Sequence, residues 1–462
     1  METRNYNIDI LAQGVARIVG GFLSFFSIFI LTYLFNESEL GEYNLILSTV
    51  NIVASLGTLW LSQSILRFYE EKRDLGPILI LTTVSTVICV LAYGILNIFL
   101  KQTKSPWVFA YIVILVLYNI FDAAFRRARK LRNYVLMELF LAISRVFPMV
   151  VFGIITKDYN SIFSSQCIVI FAFFVFIFIK NGDSLRQISF KVNINMLKKY
   201  LKFGVPLMGL SVSNWFLTTS DRFVIKYFGD NAQVGIYSTN YSLANSIYMM
   251  FALIVINAFH PIIMKQWEYD KQKTLKLVSH TIDMYFILMI PLTFYGCLKS
   301  NVLLTLFEGD LYASHNWIFN WTAIGIFFYG LSLLYHKYYE LIEKTNMILV
   351  INFIAAVANL ALNFILIPIL GFDIASFTTF ISYIIYIIIV RSCTYKCFKL
   401  SINYRKLFVG IISAMVFYIV DRIFVKNDSI FMFFVEGCIY VFYTLFVYHL
   451  TKVLNIKEVK SY

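Results

Sequence analysis

Apolar stretches of about twenty residues recur along the whole chain, separated by short polar connections. A helix crossing a membrane needs roughly 20 apolar residues, because the hydrocarbon core is about 30 Å thick. The pattern predicts spans at about 10–34, 42–66, 77–100, 107–125, 134–156, 161–179, 203–227, 232–259, 277–298, 315–336, 347–370, 375–390, 407–425 and 430–450. With roughly fourteen such segments the chain is expected to be an all-α integral membrane protein, since only helices and closed barrels satisfy their backbone polar groups in lipid. The connections are too short to hold a soluble catalytic domain.

Composition agrees: 60% of the residues are hydrophobic and only 14% are charged, far from the averages of soluble domains. The net charge of +13 would suggest a nucleic-acid partner if it were spread evenly, but it falls on alternate connections. One side holds Arg67, Lys72 and Arg73; Arg126, Arg127, Arg129, Lys130 and Arg132; and Lys180 to Lys202. It continues with Lys265 to Lys276, Lys337, Lys344, Arg391 to Lys406 and the tail. The other side holds only Lys101, Lys104, Lys157, Lys226, Lys299, Arg422 and Lys426. By the positive-inside rule both termini are expected in the cytoplasm, and no nucleic acid is expected as partner. The first apolar segment is too long for the core of a cleaved signal peptide and is expected to be an anchor. The six cysteines show no disulfide or zinc spacing.

The long basic connection divides the chain. The expected organisation is an N-terminal six-helix lobe over 1–180, a cytoplasmic amphipathic linker over 181–202, a second six-helix lobe over 203–400, and an extra helix pair with tail over 401–462. The halves repeat. Gly41, Tyr43, Ser48 and Asn51 recur as Gly235, Tyr237, Ser242 and Asn245, all at a shift of 194. Six spans per half keep corresponding helices pointing the same way, so the expected relation is a parallel pseudo-two-fold along the membrane normal.

Polar residues inside the membrane are costly and need a reason. Arg17, Arg145, Asp221, Arg222 and Glu436 lie within predicted spans. Each either pairs with a neighbouring helix or lines a polar path. Ser48, Asn51, Ser55, Thr58 and Ser62 share a face of the second span, and Asn352, Asn359 and Asn363 share a face of the eleventh. Such stripes either bond helix to helix or line a water-filled cavity between the halves; the arginines in the first half favour the cavity. Trp60, Trp215 and Tyr241 lie near the stripes, where packing is the simpler reading and stacking on sugar rings the alternative. Pro148, Pro206, Pro291 and Pro368 interrupt spans, as kinks or hinges. No catalytic constellation, metal-ligand spacing or phosphate-cradling loop occurs in the sequence, so neither an enzyme nor a cofactor is expected. The histidines look scattered.

The second half opens with Tyr200-Leu201-Lys202-Phe203-Gly204-Val205-Pro206-Leu207, then Ser220-Asp221-Arg222-Phe223-Val224-Ile225 and Val234-Gly235-Ile236-Tyr237-Ser238. Further on come Lys344-Thr345-Asn346, Asn359-Leu360-Ala361-Leu362-Asn363 and Ile367-Pro368-Ile369-Leu370-Gly371-Phe372. With these motifs the chain resembles the bacterial polysaccharide flippases of the multidrug/oligosaccharidyl-lipid/polysaccharide exporter superfamily, along nearly its whole length. Where many members continue with Gly-Ala-Ala, this chain has Asp373-Ile374-Ala375-Ser376.

The resemblance implies two lobes, no ATP hydrolysis, and an oligosaccharide carried on polyprenyl pyrophosphate. It also implies the bacterial inner membrane, membrane lipids and other polysaccharide-assembly proteins as partners. Burying one unpaired sugar hydroxyl in hydrocarbon costs about 4–8 kcal/mol, so a glycan needs a polar path. A pyrophosphate needs cations, and arginine suits its geometry. The expected pyrophosphate contacts are therefore Arg17 and Arg145. Ser48, Asn51, Asn245, Asn352, Asn359 and Asn363 are the expected sugar or cavity contacts, with Asp221, Arg222, Pro206 and Pro368 structural or gating. A drug or metabolite antiporter and a peptidoglycan-precursor flippase of the same superfamily are the alternatives.

Overall fold

The computed structural model of the chain describes residues 23, 25–69, 71–100, 102, 105–127, 135–136, 143, 146, 150–180, 194–307, 309–401, 403–424 and 429–453. No strand occurs among them. Nine of the described helices are long and apolar enough to cross a membrane, and two shorter apolar helices accompany them. The expected spans at 10–34 and 134–156 fall largely outside the described residues. The protein is a multi-pass helical membrane protein.

By contact density the chain divides into two units, Met1–Gly235 and Ile236–Tyr462. The first contains α1 (Phe25–Leu34), α2 (Glu37–Phe68), α3 (Glu71–Leu100), α4 (Pro106–Arg127), α5 (Asn160–Lys180) and α6 (Ile194–Phe228). Helix α2 is its hub and packs against α3, α4 and α6. It begins at a capping box. The Asn36 side chain accepts from the Glu39 amide at 2.9 Å, and Glu39 accepts from the Asn36 amide at 3.0 Å. Two orphan donors of the first turn are thereby satisfied. Leu61 and Ile65 of α2 form a buried cluster with Ile78 and Leu81 of α3, Ile120 of α4 and Tyr200 of α6.

Helix α6 runs unbroken from Ile194, so the basic, amphipathic residues up to Lys202 are its first turns, continuous with the expected span. It lies close on α2. The Ser64 hydroxyl donates to the Tyr200 carbonyl at 2.8 Å, and a Cβ on Gly204 would overlap the Trp60 backbone. Lipid gives helices no hydrophobic reason to associate. Close backbone approach at small residues and interhelical hydrogen bonds supply it instead.

Helix α7 (Asn231–Tyr269) opens where the first unit ends. Within that unit Gly41 and Gly235 cross reciprocally: a Cβ on Gly41 would overlap the Asn231 carbonyl, and one on Gly235 the Glu37 carbonyl. Both pairs are related by the 194-residue shift of the sequence repeat.

The second unit holds the rest of α7, then α8 (Lys271–Leu298), α9 (Ser300–Phe307), α10 (Asp310–Ala313), α11 (Asn316–Tyr335), α12 (Lys337–Leu341), α13 (Thr345–Leu370), α14 (Ile374–Thr394), α15 (Tyr404–Phe424) and α16 (Ile430–Leu450). Helix α14 packs on α11 and α13, while α8 packs on α11 and α15. Helix α13 stops at Gly371, whose φ of 88° lies in the left-handed region. The last helix pair is tied to α8 by buried charge. Lys406 Nζ lies 3.0 Å from Asp283 Oδ2. At the far end of α8, Lys299 Nζ lies 3.1 Å from Asp421 and 2.7 Å from Glu436.

Candidate functional site

In the first unit the polar stripe of α2 is shared out. The Ser48 hydroxyl donates to the Asn44 carbonyl at 2.6 Å and accepts from Arg222 Nη1 at 3.0 Å. The Trp215 indole donates to the Ser48 carbonyl at 3.0 Å. Ser48, Trp215 and Arg222 therefore stitch α2 to α6, and Asp221 beside them is buried. Thr58 accepts from Asn119 of α4 at 3.2 Å. Asn51 is different: it is exposed, and its side chain makes no hydrogen bond among the described residues. Pro206 sits inside α6 with its ring exposed. Arg17 and Arg145 lie outside the described residues.

Where α2 ends and α6 begins, two cations rest on an aromatic platform. The Arg67 guanidinium stands 4.6 Å from the Phe203 ring centre and 5.6 Å from that of Phe68. Lys199 Nζ stands 4.1 Å above Phe68. Phe68 packs edge-on against Phe203 and stacks on Tyr200. Both cations are exposed, and neither has an ion-pair partner among the described residues. A cation over a ring face keeps its N–H groups for another acceptor. The hydrophobic pattern gave no sign of this pairing, because Arg67 and Phe203 are far apart in the chain.

In the second unit Asn359 and Asn363 are fully buried between α13 and α14. Asn359 donates to Thr379 at 3.1 Å, Asn363 donates to Asn359 at 3.1 Å, and Thr378 donates to Asn363. Their amides are engaged in holding two helices together. Asn352 is buried, and its Oδ1 has no hydrogen-bond partner among the described residues. Asn245 is half-buried, and its side chain makes no hydrogen bond among the described residues. Pro368 lies exposed near the end of α13.

Two further features belong to this unit. An apolar cavity of about 680 Å³ lies among Phe286, Ile290 and Phe294 of α8, Phe327 of α11, and Leu407 and Ile411 of α15. A chain of titratable groups runs His260, Lys337, Glu340, His336, Tyr386, each within 3.1 Å of the next. In sequence these histidines look scattered; the fold assembles two of them. Among the described residues no His, Cys, Asp and Glu group could hold a metal ion.

The helices make this a multi-pass membrane protein, and the comparisons narrow the class to transporters and flippases. Residues 8–267 match the family described as polysaccharide biosynthesis protein, and residues 206–365 match the MatE family. The chain belongs to the polysaccharide biosynthesis protein family. Among solved structures it is similar to "Lipid II flippase MurJ, inward closed conformation", with TM-score 0.72 and 15% identity, over 96% of this chain and 98% of that one. It is also similar to an "Inward-facing conformation of a multidrug resistance MATE family transporter of the MOP superfamily", with TM-score 0.60 and 13% identity, over 88% of this chain and 98% of that one. Among curated proteins none matches by sequence. The fold is that of MOP-superfamily flippases and transporters.

Proposed function

We propose that this protein flips a polyprenyl-pyrophosphate-linked oligosaccharide from the cytoplasmic to the outer leaflet of the bacterial inner membrane, by alternating access, for surface polysaccharide assembly. The observation that carries the reading is the family match over residues 8–267. The described side chains supply the chemistry such a substrate needs. Arg67 and Lys199 are cations without acidic partners among the described residues, suited to a pyrophosphate. Asn51 and Asn245 have side-chain amides without hydrogen bonds among the described residues, suited to sugar hydroxyls. The apolar cavity between α8, α11 and α15 offers hydrocarbon-like surface for part of a polyprenyl chain. Arg17 and Arg145 remain proposed pyrophosphate contacts.

The test is ligand binding by purified protein in lipid nanodiscs, read as thermal stabilisation. The probes are a polyprenyl-pyrophosphate-linked oligosaccharide, the peptidoglycan precursor and a cationic drug. The reading expects the first to stabilise most, with affinity about tenfold weaker in Arg67→Ala, the loss of one charge-assisted hydrogen bond. Stabilisation by the drug alone would support an antiporter instead, and by the peptidoglycan precursor alone a precursor flippase.

A further inference from the structure

The hydrogen-bonded chain in the second unit has a composition that packing alone does not require. The Lys337–Glu340 pair lies within the one short helix α12 and by itself ties it to no neighbour. Here it is extended at both ends by imidazoles and finished by a phenol. Lys337 Nζ is 2.6 Å from Glu340 Oε2 and 3.0 Å from His260 Nδ1. Glu340 Oε1 is 3.1 Å from His336 Nε2, and His336 Nδ1 is 2.8 Å from the Tyr386 hydroxyl. The groups come from α7, from α12 with the residue preceding it, and from α14, so three helices meet at one polar chain.

The donor and acceptor roles follow from counting. The lysine ammonium only donates, so His260 Nδ1 accepts and its proton sits on Nε2. The carboxylate only accepts, so His336 Nε2 carries a proton and donates to it. With His336 neutral, its Nδ1 lone pair accepts the Tyr386 hydroxyl. The ensemble then holds one ammonium and one carboxylate and carries no net charge. In the neutral chain two ring nitrogens hold an open lone pair, His260 Nδ1 and His336 Nδ1. A proton on the first would set its N–H against the Lys337 ammonium, whereas one on the second meets a Tyr386 hydroxyl that can turn to accept it, so His336 Nδ1 is the nitrogen that takes up the proton. Proton uptake breaks one O–H bond of a hydronium ion and forms one N–H bond, leaving water. The imidazolium then donates from both nitrogens, and the Tyr386 oxygen turns from donor to acceptor.

Access is graded. The His260 side chain is 42% exposed and that of Glu340 26%, whereas those of His336 and Lys337 are 11% and 6% exposed. The chain thus joins an open imidazole to a buried one. Other titratable groups stand around it. The Tyr329 ring of α11 is 6.2 Å from that of Tyr386, and Arg391 of α14 lies over the Tyr335 ring at 5.2 Å. His280 of α8 packs against Phe259 at 6.1 Å. Tyr338 and Tyr339 of α12 interact with Cys397 and Cys393. Glu343 and Lys344 follow α12 in the chain.

We propose that His260, Lys337, Glu340, His336 and Tyr386 form a proton-binding site through which transport draws on a pH gradient. The proton enters at the end of the unit that carries Lys337, Lys344 and Arg391. A protonated His336 takes a larger share of the Glu340 charge and loosens the hold of Glu340 on Lys337. Lys337 is also the residue bonded to His260 of α7. Proton occupancy therefore biases the contact between α7 and α12. The inference rests on the transporter class and not on the identity of the carried lipid.

The test has two arms on the full-length protein. Infrared difference spectra between about pH 8 and about pH 5.5, in nanodiscs without substrate, should show an imidazole-to-imidazolium change coupled to a carboxylate change. His336→Gln should lose the part of both changes that this chain of groups contributes, the His315–Asp373 pair keeping its own, and the exposed His449→Gln should leave the carboxylate change whole. Should His336→Gln not fold, Tyr386→Phe replaces it, and the histidine band should then shift. Bands unaltered in the substituted protein overturn the proposal. In the second arm, vesicles carrying a polyprenyl-linked oligosaccharide are placed under an imposed pH gradient. Gradient-driven flipping should be lost in His336→Gln and Glu340→Gln; wild-type gradient dependence in both variants overturns the coupling. Should wild-type vesicles move no glycan, the substrate reading fails, while the spectra alone decide the proton site.

Discussion

Lys299 shows most clearly what a single residue does in this molecule. Its side chain is buried between Asp421 and Glu436, and the second oxygen of each carboxylate has no hydrogen-bond partner among the described residues. Burial alone would lower the pKa of the ammonium. The hydrogen bonds and charges of Glu436 and Asp421 outweigh it and hold Lys299 above the ordinary lysine value. A pKa raised in the folded state means that the stabilisation is fully present below the unfolded value. It is lost only as the pH rises through the folded one, above the ordinary lysine range. At neutral pH the cluster should therefore be insensitive to modest pH changes. Lys299→Met strands two buried carboxylates and should cost about 3–5 kcal/mol, the usual penalty for breaking a buried pair. Denaturant titration in detergent checks it, and a variant as stable as wild type would show that the cluster does not hold the last helix pair. From sequence Glu436 stood out as an intramembrane charge, but its partner did not. Lys299 lies in a short connection, and only the packing of α8 against α15 and α16 brings the two together.

Helix by helix, the pattern of apolar runs was a good guide, because lipid demands long unbroken helices. It was a poorer guide where a helix leaves the hydrocarbon. Helix α6 continues through Lys198, Lys199 and Lys202, since backbone hydrogen bonding is indifferent to side chains that reach solvent. The polar stripes were legible as stripes, but their use was not. Asn359 and Asn363 bond to Thr379 and Thr378 of the neighbouring helix, whereas Asn51 of an equally polar stripe is left open. The difference is which helix lies opposite, and that is a property of packing. Two element-scale predictions follow from the α2–α6 seam. Gly204→Ala forces a Cβ into the Trp60 backbone and should cost about 1–3 kcal/mol of stability, the usual range for overpacking. Trp215→Phe removes the indole donor to the Ser48 carbonyl while keeping an aromatic ring, and should cost about 1 kcal/mol. Thermal unfolding in one detergent reads both. The seam would be unimportant if neither moved the midpoint.

For the whole molecule, the charge distribution predicts the sidedness of the chain and the family match predicts its cargo. With basic connections on the cytoplasmic side, a tag placed after Tyr462 should be protected from protease in intact spheroplasts and cleaved in inverted vesicles; the reverse would invert the proposed topology. The cargo is tested most directly by reconstitution. Vesicles made with and without the protein are loaded with a polyprenyl-pyrophosphate-linked oligosaccharide on the inner leaflet, and an impermeant sugar-modifying enzyme is added outside. Protein-dependent modification of the glycan is the predicted result. Glycan that stays protected in vesicles containing folded protein, under an imposed pH gradient as well as without one, would contradict it.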